Sequence, residues 1–335
     1  MNSSNETFYS LDYWLSLYGY PYITEVFATY IITPIWLLSL MLSIFSLFIL
    51  RKAPFFASNF FNYMRLYVSN CLILSVISLT TIFVLTRRLF AISNTYEAVF
   101  FDVYVNWLIA NSLTLFSSCI EICLVMEKIL YLLPSSFKRI KLISFKKFFF
   151  ALFLACILVN LSGMFLFETG YADIKLDLNA PLFRLWLFVP TSFSFSQAGR
   201  VFSYLGYICR DILPMILKIA INMVSIYLVG NYVKNKQRIR AAMAARVDSH
   251  IANFDRRQTY IAFIMNTFSL LEHMLNIAAY VLFFIGDYQL TNMFIMLALL
   301  VIAIKHSFVF FILLLFNNLF RNEVRKCFKR RQIST

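Results

Sequence analysis

The chain has 335 residues, of which 61% are apolar, 18% aromatic and only 14% charged, whereas an average soluble domain is about 45–50% apolar and about 25% charged. A soluble fold could not hide that much apolar surface, and at roughly 20 apolar residues per crossing the length accommodates roughly six to eight membrane spans. The net charge of +14 would suggest nucleic acid on a soluble protein, but the basic residues sit between apolar runs and no basic face carries base-stacking aromatics, so the partners expected are membrane lipids and no nucleic acid.

In chain order, Met1 to Tyr20 lacks a basic start, a short apolar core and a small-residue cleavage site, so no cleavable signal peptide is expected and the first span directs insertion. The triplets Asn2-Ser3-Ser4 and Asn5-Glu6-Thr7 make Asn2 and Asn5 candidate glycosylation sites. Unbroken apolar runs then follow near Val26–Leu50, Phe61–Leu85, Val103–Leu133, Phe148–Phe167, Tyr204–Val233, Tyr260–Ile285 and Leu290–Phe316. They do not alternate apolar and polar, so a membrane barrel is excluded. The fold expected is an all-α integral membrane protein: an N-terminal segment 1–25, a seven-transmembrane helix bundle over 26–316, and a short amphipathic helix with a tail over 317–335.

Basic residues crowd alternate connections: Arg51, Lys52 and Arg65 flank the first, Lys128 to Lys147 fill the third, Lys234 to Arg257 the fifth, and Arg321 to Arg331 the tail. These places hold twenty-two of the thirty, against six on the other side. Positively charged segments remain in the cytoplasm, so the N-terminus is expected outside and the C-terminus inside, in the plasma membrane. Between Pro181 and Pro190 the longest outer connection carries the apolar patch Leu185-Trp186-Leu187-Phe188-Val189. It reads as a lid over a pocket or, the reading favoured, as an interfacial segment with Trp186 at headgroup level.

Four ionisable residues fall inside apolar runs, where a charge costs at least a few kcal/mol unless it is paired. Glu272 and Lys305 form the first candidate pair; Glu121 and Lys218 form a second, placed deeper. Either pair reads as a switch between states or as a fixed structural lock, the latter favoured. His273 and His306 stand in no catalytic or ligand spacing and read as hydrogen-bonded interior imidazoles. The six cysteines show no CxxC or Cys/His spacing, so no metal, cofactor or disulfide framework is expected. Cys327, in the basic juxtamembrane run Arg325 to Arg331, is a candidate palmitoylation site.

Three places carry a resemblance. Phe316-Asn317-Asn318-Leu319-Phe320-Arg321 resembles the end of a rhodopsin-like G-protein-coupled receptor, where the seventh helix turns at Asn-x-x-Phe-Arg into a helix along the membrane. Glu127-Lys128-Ile129 with Pro134 beyond is similar to the family's Asp/Glu-Arg-Tyr motif, and Pro214 with Asn222 and Tyr227 is similar to its fifth helix. The departures are many. Val309-Phe310-Phe311-Ile312-Leu313 stands where NPxxY is expected, and Met274 falls near the sixth-helix proline. Val103 takes the place of the third-helix cysteine, so the disulfide that usually pins the second outer loop is absent. Ser43, Ser75, Ser78 or Thr80 and Val309 cannot assemble the family's sodium site. These departures resemble divergent invertebrate receptors, including nematode chemosensory and peptide-receptor-like groups.

The resemblance implies a receptor, not an enzyme, that binds an extracellular ligand (peptide, lipid or small odorant) and activates a heterotrimeric G protein. Trp107, Asn111, Arg210, Asp211, Glu272 and Tyr280 are the candidate ligand-binding residues; Glu127, Lys128, Asn317 and Arg321 are candidates for G-protein coupling. Ala110 in place of the amine-receptor aspartate disfavours amine ligands, and Ala303 in place of the retinal lysine disfavours an opsin, with Lys305 about 200° further around the helix. A transporter or channel is the alternative; its expected signs would be Gly/Pro-interrupted helices or ion-path carboxylates, and only seven Gly occur in the chain; a seven-span chemoreceptor without G-protein coupling is another.

Overall fold

The computed structural model describes residues 22–56, 59–85, 95–132, 145–174, 183–242, 249–285 and 288–333. Asn2 and Asn5 lie outside the described residues. Seven helices form the bundle. The first, α1, runs through Tyr22–Phe27, a π segment Ala28–Ile32 and Thr33–Leu50; α2 is Asn59–Leu85; α3 joins Tyr96–Phe100, a π segment Phe101–Ala110 and Asn111–Leu132. α4 is Phe145–Asn160, continued by Ser162–Leu166; α5 joins Gln197–Tyr207, a π segment Ile208–Ile212 and Leu213–Ala242; α6 is Ser249–Ile285 and α7 Tyr288–Phe316. An eighth helix, α8, occupies Asn318–Ile333.

Among the described residues six helices have the length and hydropathy of membrane spans: Glu25–Leu50, Asn59–Phe83, Tyr96–Glu127, Lys147–Leu166, Gln197–Leu228 and Leu290–Phe316. The remaining bundle helix, α6, carries Asn266, Ser269, Glu272, His273 and Asn276 along its membrane stretch. It packs extensively against α7 and also meets α3 and α5. α3 is central, touching α2, α4, α5 and α6, and α1 closes the ring against α2 and α7.

Helices start earlier than the apolar runs suggest, α3 at Tyr96 and α5 at Gln197. Side-chain caps set both starts: Thr95 Oγ1 accepts from the Ala98 amide at 3.3 Å, and Ser196 Oγ from the Gly199 amide at 3.0 Å. Gly199 is required there, because a Cβ at that position would stand 2.0 Å from the Phe193 carbonyl oxygen. Most of the basic stretch expected as a fifth connection is helical, α5 reaching Ala242 and α6 beginning at Ser249.

The two π segments of α1 and α5 have a shared local cause. Each ends just before a proline, Pro34 or Pro214, and a proline removes one backbone donor and crowds the carbonyl one turn back. The chain answers with a wider turn, closed by backbone bonds from Thr33 to Ala28 and from Leu213 to Ile208; the Thr33 hydroxyl adds a second bond to Ala28 O at 3.0 Å. α3, Tyr96–Leu132, contains no proline, so its π segment does not share this cause.

The interior is polar where a soluble core would be apolar. Ser39 and Ser75 hydroxyls meet at 3.1 Å between α1 and α2, Asn70 donates to Leu113 O at 2.8 Å and Ser117 Oγ at 2.5 Å, and Asn266 donates to Asn222 Oδ1 at 2.7 Å. Small and amide side chains of this kind hold membrane helices together, since lipid is as apolar as a leucine face and burial alone does not drive association. Conversely, Met41, Leu158 and Tyr227 are each 68% exposed on the outside of the bundle. Two apolar clusters flank the middle of the interior. One contains Trp36, Leu74, Leu113 and Ala303, the other Ile49, Cys71, Ile120 and Val309. Along α7 Lys305 falls between Ala303 and Val309, one from each cluster.

The expected helical bundle carries one element besides its helices. Between α4 and α5 the chain forms an antiparallel hairpin, β1 Phe167–Ile174 with β2 Phe183–Pro190, in which Tyr171 pairs with Trp186 and Phe167 with Pro190. The apolar patch Leu185 to Val189 is therefore a strand. Trp186 packs edge-on against Tyr171 at 5.5 Å and against Tyr96 at 5.0 Å, at the start of α3. These aromatic contacts fix the hairpin to the mouth of the bundle without a cysteine.

Candidate functional site

The two ion pairs expected in the membrane interior are one linked group. Lys305 Nζ stands 2.6 Å from Glu272 Oε2 and 3.3 Å from Glu121 Oε1, and Lys218 Nζ stands 2.7 Å from Glu121 Oε2. Lys305 joins the Glu121–Lys218 pair to Glu272: the order is Lys218, Glu121, Lys305, Glu272, with alternating sign across α5, α3, α7 and α6. All four side chains are 0–1% exposed. Tyr67 of α2 donates to Glu121 Oε1 at 2.9 Å, and Lys218 also donates to Ser269 Oγ on α6. Two cations and two carboxylates cancel, so the group carries no net charge into a medium that solvates charge poorly. Beside it His306 lies between the rings of Trp36 at 5.6 Å and Tyr67 at 6.2 Å. Its ring nitrogens meet no hydrogen-bond partner among the described residues, contrary to the hydrogen-bonded imidazole expected.

A second polar cluster lies nearer the hairpin. The π turn Ile208–Ile212 carries Arg210 and Asp211 on successive positions, and both side chains turn into the bundle. Arg210 Nε donates to Asp211 Oδ2 at 2.8 Å, and its Nη2 donates to the Tyr280 hydroxyl on α6. The other carboxylate oxygen of Asp211 meets His273 Nδ1 at 3.3 Å and Asn276 Nδ2 at 3.2 Å. His273 Nε2 in turn meets Ser118 Oγ of α3 at 3.2 Å. His273, Asn276, Ser118 and Tyr67 were not singled out as site residues in the sequence. The signal for a site role of His273 is its place next to Glu272: the cluster and the charged group use successive residues of α6.

Of the expected ligand-binding residues, the structure brings Arg210, Asp211 and Tyr280 together and puts Glu272 in the interior charge group. Trp107 and Asn111 are apart from them on α3, where the Trp107 ring packs on Phe167 at 5.2 Å and the Asn111 amide donates to Trp107 O at 2.7 Å. Trp107 thereby joins α3 to the first residue of the hairpin.

At the opposite end, Asn317 and Arg321 make the corner into α8. Asn317 Oδ1 accepts from the Phe320 amide at 2.9 Å as an N-cap. Arg321 returns its guanidinium to the last carbonyls of α7, Nε to Leu314 O at 3.0 Å and Nη2 to Leu315 O at 2.6 Å. The Asn-x-x-Phe-Arg run thus has a local structural cause. Glu127 is half-buried near the same end of α3, and the Lys128 side chain lies outside the described residues. α8 is tied to the first connection by Lys52, which donates to Glu323 Oε2 and to Cys327 Sγ, both at 3.1 Å. Lys326 and Lys52 hold the Glu323 carboxyl below its ordinary range. Partial burial disfavours the Lys52 ammonium, yet its bonds to Cys327 and Glu323 prevail and raise it. Among the described residues no group of three or more His, Cys, Asp or Glu side chains could hold a metal ion.

No family model and no curated protein matches the chain at the level of sequence. Among solved structures it is similar to the crystal structure of squid rhodopsin, with a TM-score of 0.57 and 13% identity, over 97% of this chain and 91% of the squid chain. At that identity the likeness is one of fold: the chain has the rhodopsin-like seven-helix fold and is a multi-pass membrane protein.

Proposed function

We propose that the chain is a plasma-membrane receptor that binds an extracellular ligand at the Arg210–Asp211–Tyr280 cluster and activates a heterotrimeric G protein at the opposite end. The observation that supports this most is that the two polar groups adjoin on one helix. His273 of the Arg210 cluster follows Glu272 directly along α6, and Glu272, Lys305, Glu121 and Lys218 tie four helices together. A ligand that changes the partners of Asp211 or Tyr280 acts on α5 and α6 at the turns adjoining these charges, and only such differential contact can shift a conformational equilibrium.

In this reading the N-terminal segment 1–25, with glycan acceptors at Asn2 and Asn5, is extracellular, and 317–335 is cytoplasmic. Glu127, Lys128 and the ends of α5 and α6 face the G protein. Asn317 and Arg321 contribute by holding α8 in place, since their side chains are engaged in the corner itself. The experiment is a cell-based G-protein activation screen against broad peptide and small-molecule libraries. A ligand response retained by the chain and lost with Asp211→Asn supports the reading; expressed, surface-exposed protein that activates no G protein under any ligand counts against it.

In the same reading Cys327 faces the inner leaflet. It is half-buried, beside Lys52 and next to Phe328, which is 62% exposed and available to lipid. Acyl-exchange labelling of the wild-type chain is therefore expected to give a signal that Cys327→Ser abolishes. Labelling unchanged by that substitution would place the acyl group elsewhere.

A further inference from the structure

We infer that the Arg210 cluster is a receptor site for a carboxylate, so that the ligand presents an anionic group to Arg210; the inference rests on the receptor reading above. The argument is a count of hydrogen-bonding capacity. Asp211 is 2% exposed and both of its oxygens are engaged, one by Arg210, the other by His273 and Asn276. An ammonium ligand would have to break that arrangement and displace an arginine to reach it. Arg210 is the opposite case. A guanidinium offers five N–H donors, of which the structure commits one at Nε to Asp211 and one at Nη2 to Tyr280, and its side chain is 14% exposed.

The walls add to the same imbalance. Tyr207 lies on Tyr280 with ring centroids 4.0 Å apart, and its buried hydroxyl meets no hydrogen-bond partner among the described residues. The guanidinium carbon stands 5.4 Å from the centre of the Tyr280 ring. Uncommitted donors therefore meet aromatic surface, while the one carboxylate is already spent. A planar fork of N–H groups matches a carboxylate in two parallel bonds, which a lysine could not do. Asp211 has a positioning role here: it holds Nε and leaves the outer edge of the guanidinium to the ligand. The widened turn Ile208–Ile212, which Pro214 imposes, allows both side chains to enter the bundle together.

The test uses the full-length chain, purified in nanodiscs, and thermal unfolding as the readout. The probes are indole-3-acetate with its neutral amide and with tryptamine at the same millimolar concentration. A phenylalanine-ended tripeptide, as free acid and as amide, distinguishes a peptide C-terminus from a small acid as the source of the carboxylate. At least one of the two acids is expected to raise Tm by about 2 °C or more, and neither amide nor tryptamine to do so. The doubly substituted Arg210→Gln/Asp211→Asn chain keeps the site neutral and, where it unfolds cooperatively in the same assay, should lose the response; Tyr207→Phe, which removes only an uncommitted hydroxyl, should weaken it. Three results overturn the inference: no shift with either acid, a shift with tryptamine or the amides instead, or an acid response that survives the double substitution. None of them touches the receptor reading, which is decided by G-protein activation.

Discussion

Glu272→Gln combined with Lys218→Met is expected to be more stable than either single substitution, although the two side chains are not in contact. With Glu272 gone, Lys305 retains Glu121; with Lys218 gone, Glu121 retains Lys305; the double variant leaves one intact pair at 3.3 Å and no net charge. Each single change leaves the group with one uncompensated charge, and breaking a buried pair in this way costs about 3–5 kcal/mol. The neighbouring combination Glu272→Gln/Lys305→Met should recover as well, because the Lys218–Glu121 contact at 2.7 Å survives. Glu121→Gln/Lys305→Met should not recover. It also removes one charge of each sign, but it takes the two central members and strands Lys218 and Glu272 at the ends. Two independent pairs would behave differently, with the Glu272/Lys218 variant showing the sum of two losses. The measurement is a set of double-mutant cycles on thermal unfolding and surface expression, and simple additivity for Glu272 and Lys218 would mean that Lys305 does not bridge the carboxylates. Basal signalling in the same variants separates a switch from a lock: stability effects without any signalling change leave only the lock.

The second large effect concerns orientation. An epitope at Met1 is expected to be fully accessible to antibody on intact cells, and one at Thr335 only after permeabilisation. The basis is the concentration of basic residues in alternate connections and the tail, which the positive-inside rule assigns to the cytoplasm. The fold adds a constraint, because an odd number of crossings must leave the two ends on opposite sides. Equal accessibility at both ends would require a bundle helix that does not cross. α6 is the helix to examine in that event, since it carries Glu272 and His273, with Asn266, Ser269 and Asn276, into the membrane.

How much of this was legible in the sequence differs from element to element. Seven apolar runs are a composition signal, and membrane helices, apolar on most faces, show it without any need for periodicity. The meeting of Glu272 with Lys305 was legible because charges at that depth must pair. The link from Lys305 to Glu121 was not, because it depends on where two long side chains reach between packed helices, which spacing along a helix does not determine. The hairpin was hidden for another reason. Leu185 to Val189 reads in the sequence as a lid or an interfacial segment, since a short apolar run does not of itself reveal a strand, and its partner strand, Phe167–Ile174, begins in the last residue of an apolar run that looks wholly helical. Pro214 stands in the sequence only as a likeness to the family's fifth helix, and the structure shows that the turn before it brings Arg210 and Asp211 into the bundle together. Asn317 and Arg321 show the reverse: a motif that suggests partner contact is explained by the capping of one helix and the closing of another.

The most direct test of the receptor account is nucleotide exchange on purified heterotrimeric G proteins by the full-length chain in nanodiscs, compared with empty nanodiscs. The account predicts exchange above background for at least one G protein, and a change in that rate when Lys305→Met breaks the interior charge group. Folded chain that accelerates exchange on none of a representative panel, with or without Lys305→Met, would contradict it.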